Sequence, residues 1–99
     1  MENKIKELAE IMYQNHNKEY IQNCLIEEMS ELTKAITKSR RGKTNVKNIT
    51  EEIGHVMLMC NSLMKSYGIQ EQSVLIEAGE AIDRMLKAKS VSHFLNPNG

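Results

Sequence analysis

From Cys24 to Lys38 the chain reads CLIEEMSELTKAITK, free of proline and glycine, with its apolar residues at a helical period. Leu25, Met29, Leu32 and Ile36 are spaced by four, three and four, which predicts one apolar stripe along a helix. Glu28 and Glu31 lie three apart on an adjacent face, so their carboxylates project side by side. Such a pair repels by roughly a few tenths of a kcal/mol on an exposed helix. A cation, a basic neighbour or solvent must offset that repulsion. Whatever this chain folds into has to bury the stripe and still accommodate the acidic pair beside it.

The same period recurs on both sides of this stretch. Ile5, Leu8, Ile11 and Met12 predict a helix over 2–15, and Asn17 is placed to cap the next, from about Lys18 to Ser39. His16 between them reads as a solvated turn residue. Lys34, Lys38, Arg40 and Arg41 suit the negative end of that second helix, and Gly42 suits the position just past it. A third helix is expected from near Asn48, where Asn48 and Glu51 resemble a capping box, to Tyr67-Gly68. Ile53, Val56, Met57, Cys60, Leu63 and Met64 give it a wide apolar face. A fourth, from about Gln70 to Ala88, carries Leu75, Ala78, Ile82, Met85 and Leu86 as its inward stripe, with Gly79 allowing a close helix approach. Residues 91–99 have no period. One proline and five glycines in 99 residues leave these stretches uninterrupted, so the expected fold is all-α. The expected domain is a single antiparallel four-helix bundle over residues 1–90 with an irregular tail, its second and third helices antiparallel.

Thirteen basic and thirteen acidic residues balance to a formal charge of zero, which argues against general nucleic-acid binding. No apolar run is long enough to span a membrane, and the N-terminus lacks the apolar core of a signal peptide. Cys24 and Cys60 fall among apolar residues and read as reduced core thiols, which suits a cytoplasmic protein.

The chemistry lies in two short motifs. Glu28 and Glu31 make an ExxE on the second helix, and Glu52 and His55 make an ExxH on the third. Antiparallel packing would surround one point with three carboxylates and an imidazole. Carboxylates are hard ligands that suit Mg²⁺ or Mn²⁺, and ions held this way keep open positions for water and phosphates. The basic segment SRRGKTNVKN between the helices is either a solvated loop or a flexible arm near a phosphate.

The stretches YIQNCLIEEMSELTKAITKSRRGK and NITEEIGHVMLMCNSLMKSYGI, over residues 20–69, resemble the MazG-like branch of the all-α nucleoside triphosphate pyrophosphohydrolases. The family pattern is EExxE, a linker, then ExxD, and its four acidic positions bind magnesium. The resemblance implies hydrolysis of a (deoxy)nucleoside triphosphate to monophosphate and pyrophosphate, in a homodimer or homotetramer. It assigns Glu28, Glu31 and Glu52 as metal ligands and catalytic residues, and puts His55 where the family has Asp. Imidazole is neutral and softer, so Mg²⁺ should bind less well and Mn²⁺ comparatively better. Relatives often carry a Lys and, three residues on, an Arg in the last helix; the matching positions are Ala81 and Arg84. Arg84, or Lys38, Arg40, Arg41 and Lys43 from the linker, would then meet the phosphates.

Three other readings compete. A catalytically weakened member would bind a nucleotide or a protein partner without turnover. A carboxylate-bridged di-iron bundle needs a second ExxH, which only a homodimer could supply. A bundle with no ligand is the remaining one.

Overall fold

The computed structural model describes residues 2–86, which form four helices and, among the described residues, no strand. The helices are α1 (Glu2–Asn15), α2 (Lys18–Arg40), α3 (Val46–Tyr67) and α4 (Glu71–Leu86). The all-α expectation therefore holds. The tail, and the last two residues expected of the fourth helix, lie outside the described residues. The chain divides into two compact units, one ending at Tyr67 and one beginning at Gly68.

The helix boundaries follow local chemistry. The Asn17 side chain accepts the Tyr20 N–H at 2.8 Å and caps α2, as its sequence position predicts. At the other end, Lys43 N–H donates to Lys38 C=O and Gly42 N–H to Ser39 C=O, both at 3.0 Å. Gly42 stands at φ +84°, so the turn is a Schellman motif built on a residue without a Cβ. The expected start of α3 needs correction. Asn45, not Asn48, is the cap: its side chain accepts the Asn48 N–H at 3.1 Å. The Schellman turn is compact, with the Ser39 and Thr44 hydroxyls bonded across it at 3.0 Å, so helical geometry resumes one turn earlier than expected. Glu51 is thereby released from any capping role.

In the first unit α3 packs against both α2 and α1. The cross-links between α2 and α3 fix their direction. Ser39 meets Thr44, Glu28 meets His55 and Gln22 meets Tyr67, so position falls on one helix as it rises on the other. The pair is antiparallel, as expected. Ile21, Leu25 and Met59 form the buried centre, with Met12, Cys24, Val56, Leu58 and Leu63 packed against it. Small buried residues, Ala9 on α1 and Ser62 on α3, allow a close approach of those backbones, and the Ser62 hydroxyl is satisfied by the Leu58 carbonyl. The Lys65 ammonium and the Glu10 carboxylate pair between α3 and α1 at 2.8 Å.

The inward face of α2 is not the stripe read from the sequence. Ile21, Leu25 and Ala35 are buried and Leu32 is half-buried, but Met29 and Ile36 are 46% and 47% exposed. The buried line is turned toward the side that carries Glu28 and Ala35. Its spacing of four, three, four and three through positions 21, 25, 28, 32 and 35 follows the seam with α3. The wide apolar face expected of α3 is also narrower than predicted, with Ile53 and Cys60 exposed. Cys24 is half-buried, so of the two thiols only it belongs to the core; both are free.

In the second unit, Gly68 (φ +67°) ends α3 and α4 follows. Gly79 is buried and Leu75 half-buried, whereas Ala78, Ile82, Met85 and Leu86 are exposed. Four of the five residues expected to face inward are thus exposed.

Candidate metal centre

The rotation of α2 puts Glu28 on the seam itself. One helical layer of α3 supplies its counterparts, Glu52 and His55, which share a face three residues apart. One ligand atom from each of Glu28, Glu52 and His55 lies within 4.8 Å of the other two. The His55 Nδ1 stands 3.0 Å from Glu28 Oε2 and 3.8 Å from Glu52 Oε2. With Glu28 ionised, the Nδ1–H donates to it.

Burial is graded across the group. The His55 side chain is 53% exposed, Glu28 27% and Glu52 13%. Glu52 Oε2 is buried and finds no hydrogen-bond partner among the described residues. Burial, and next the neighbouring Glu28 carboxylate, push the Glu52 carboxyl above the usual carboxylate range; His55 opposes the shift and the Glu31 charge adds to it. An unsatisfied carboxylate oxygen beside a second carboxylate and an imidazole is the donor set a divalent cation would complete. The residues present fit such an ion.

The other residues singled out in the sequence fall elsewhere. Glu31, one turn beyond Glu28, lies outside this group; its carboxylate accepts from Lys34 Nζ at 3.3 Å. Lys38 lines a polar cavity of about 390 Å³ at the α2–α3 turn. Arg40 and Arg41 are exposed at the end of α2 and do not line it. Arg84 is exposed on α4, in the second unit. A second cavity, of about 230 Å³, opens between the apolar residues Met12, Cys24, Leu58 and Met59, with Glu28 and His55 on its wall. The sequence reading missed this cavity, because the approach of α1 to the α2–α3 seam has no signature in the period of any one helix.

Residues 14–87 match the family model for the MazG nucleotide pyrophosphohydrolase domain. No curated protein and no solved structure matches the chain.

Proposed function

The chain belongs to the MazG nucleotide pyrophosphohydrolase family, and from that premise we propose that it hydrolyses (deoxy)nucleoside triphosphates to the monophosphate and pyrophosphate with a divalent cation, Mg²⁺ or Mn²⁺. The observation that carries this reading is the convergence of Glu28, Glu52 and His55 within 4.8 Å, around a carboxylate oxygen with no hydrogen-bond partner among the described residues. These three residues hold the cation, and Glu31 is the remaining carboxylate of the pair on α2. When bound, the cation supplies polarisation of a phosphoryl oxygen and neutralisation of developing charge.

The protein's own groups do the rest. The raised proton affinity of Glu52 sets a proton in competition with a cation for its carboxylate, so metal uptake strengthens as pH rises. Glu27 or Glu31, both on α2, orients the attacking water. The apolar cavity of Met12, Cys24, Leu58 and Met59 borders Glu28 and His55, and it suits the less polar part of a nucleotide. Lys38 is the first candidate for a phosphate contact, with Arg41 and Arg84 as alternatives. Exposed Ile26, Met29 and Ile36 on α2 support assembly into a homodimer or homotetramer. No helix among the described residues is long and apolar enough to cross a membrane, and two free thiols suit a cytoplasmic setting.

The test is product analysis with a panel of canonical and modified nucleoside triphosphates, in Mg²⁺ and in Mn²⁺. Wild type should release monophosphate and pyrophosphate, and Glu28→Ala and Glu52→Ala should fall to the blank with unchanged helical circular dichroism. Nucleotide binding without turnover in either metal would replace this reading with a non-catalytic one.

A further inference from the structure

The cavity at the α2–α3 turn carries an arrangement the carboxylate centre does not explain. Lys38 from the end of α2, Lys43 from the turn and Lys47 from the first turn of α3 all line it. None of the three has an ion-pair partner among the described residues. Asn45 and Asn48 add amide side chains to the lining, and among the described residues Glu51 is its one carboxylate, so three cationic residues line the cavity with a single acidic one. The positive end of the α3 dipole lies at the same place, since the helix opens at Val46. Three like charges brought to one concavity in a chain of zero net charge repel one another unless an anion joins them.

The position of the cavity tells which anion. Its floor is Ala35, buried on α2, and Ala35 follows Glu28 by seven residues, two turns along the same face. On α3, Asn48 precedes His55 by the same interval. The cavity and the carboxylate centre are therefore successive stations on the one α2–α3 seam, about 10 Å apart in helix rise. A linear polyanion can lie along that seam with one end among the lysines. A compact monoanion would occupy one station only.

We propose that the Lys38–Lys43–Lys47 cavity is a polyphosphate subsite, which takes the phosphate tail of the substrate and does so without the metal centre. The identity of the tail rests on the proposed hydrolytic function; the binding of a polyphosphate does not. Ammonium groups on flexible stems suit a chain of phosphates, whose oxygens present charge in several directions rather than one planar fork. Lys43 and Lys47 thereby join Lys38 as positioning residues, while Arg41 has no place in the cavity.

The experiment is calorimetric titration of the full chain with inorganic tripolyphosphate in EDTA, repeated with a nucleoside triphosphate. The Lys38→Ala/Lys43→Ala/Lys47→Ala variant should bind tripolyphosphate at least ten-fold more weakly than wild type. Glu51→Gln, which removes the opposing charge, should bind it more tightly. Lys4→Ala/Lys6→Ala/Lys18→Ala makes the same change of net charge away from the cavity and should leave the affinity within two-fold. A wild type that does not bind tripolyphosphate overturns the proposal. So does equal binding by wild type and the cavity variant, or an equal loss in the control variant. Cavity-specific binding in a protein that turns over no nucleotide would refute the hydrolytic function and leave the subsite standing. Turnover with KM and tripolyphosphate affinity unmoved in the cavity variant would do the reverse. The nucleoside triphosphate arm separates a tail subsite, where affinity falls in parallel in the variant, from a site for free polyphosphate alone, where it does not and the assignment to substrate fails.

Discussion

Truncating α2 one side chain at a time tests the rotation that brings Glu28 to the seam. Ile21 is 0% exposed at the centre of the core, and Ile36 is 47% exposed on the stripe that periodicity alone selects. Removing three buried carbons from Ile21 loses their transfer free energy and leaves a cavity between α2 and α3. Ile21→Ala should therefore cost about 2–5 kcal/mol, and Ile21→Val about 0.5–1.5 kcal/mol. That is a large share of the roughly 5–15 kcal/mol that holds a domain of this size together. Ile36→Ala should stay within about 0.5 kcal/mol, as exposed positions usually do. Urea unfolding followed by far-ultraviolet circular dichroism gives each value from the shift in midpoint at constant slope. Two protein concentrations separate folding from any self-association through the exposed face. Equal costs at the two positions, or a larger one at Ile36 at both concentrations, would mean that Met29 and Ile36 point inward. Glu28 would then leave the seam, and the candidate centre would lose one of its walls.

Other consequences follow from the same geometry. Because folding raises the proton affinity of Glu52, its contribution to stability is complete below its ordinary value of 4.5 and is lost as pH rises through the folded value. Metal-free protein should thus lose Tm on the way to neutral pH, and Glu52→Gln should flatten that fall and melt higher at pH 8; parallel profiles from thermal melts in EDTA would contradict this. At Gly42, a Cβ would meet no other atom, so Gly42→Ala should cost only the left-handed backbone preference, about 1–2 kcal/mol, in the same unfolding assay. His55→Asp adds a carboxylate to the centre and should shift the ratio of Mg²⁺ to Mn²⁺ affinity toward Mg²⁺ by calorimetry, whereas an unchanged ratio would remove His55 from the ligand set.

Much of the fold was legible in residue order because helices are written locally. The all-α class, the Asn17 cap, the Gly42 and Gly68 stops and the antiparallel α2–α3 pair all follow from spacing and termini. What failed was the choice between faces. Met29 and Ile36 look as apolar as Ile21 and Leu25, and periodicity cannot say which line of a broad stripe the partner helix will cover. The true seam includes Glu28 and Ala35, an acid and a small residue that an apolar template skips. Asn48 reads as the cap because Glu51 follows three residues on, a side-chain signal outweighed by the Asn45 cap and the backbone hydrogen bonds of the preceding turn. For the site, the motif pairing of Glu28, Glu52 and His55 was legible. The engagement of Glu31 with Lys34 and the gathering of Lys43 and Lys47 beside Lys38 needed the turn in three dimensions.

The most direct test of the central claim is Mn²⁺ binding to the purified protein, followed by the loss of the free-ion electron paramagnetic resonance signal. Wild type should take up the ion, Glu28→Ala, Glu52→Ala and His55→Ala should each lose most of that uptake, and Glu31→Ala should lose less. Uptake unchanged in Glu28→Ala and Glu52→Ala would show that the seam between α2 and α3 is not where the cation binds.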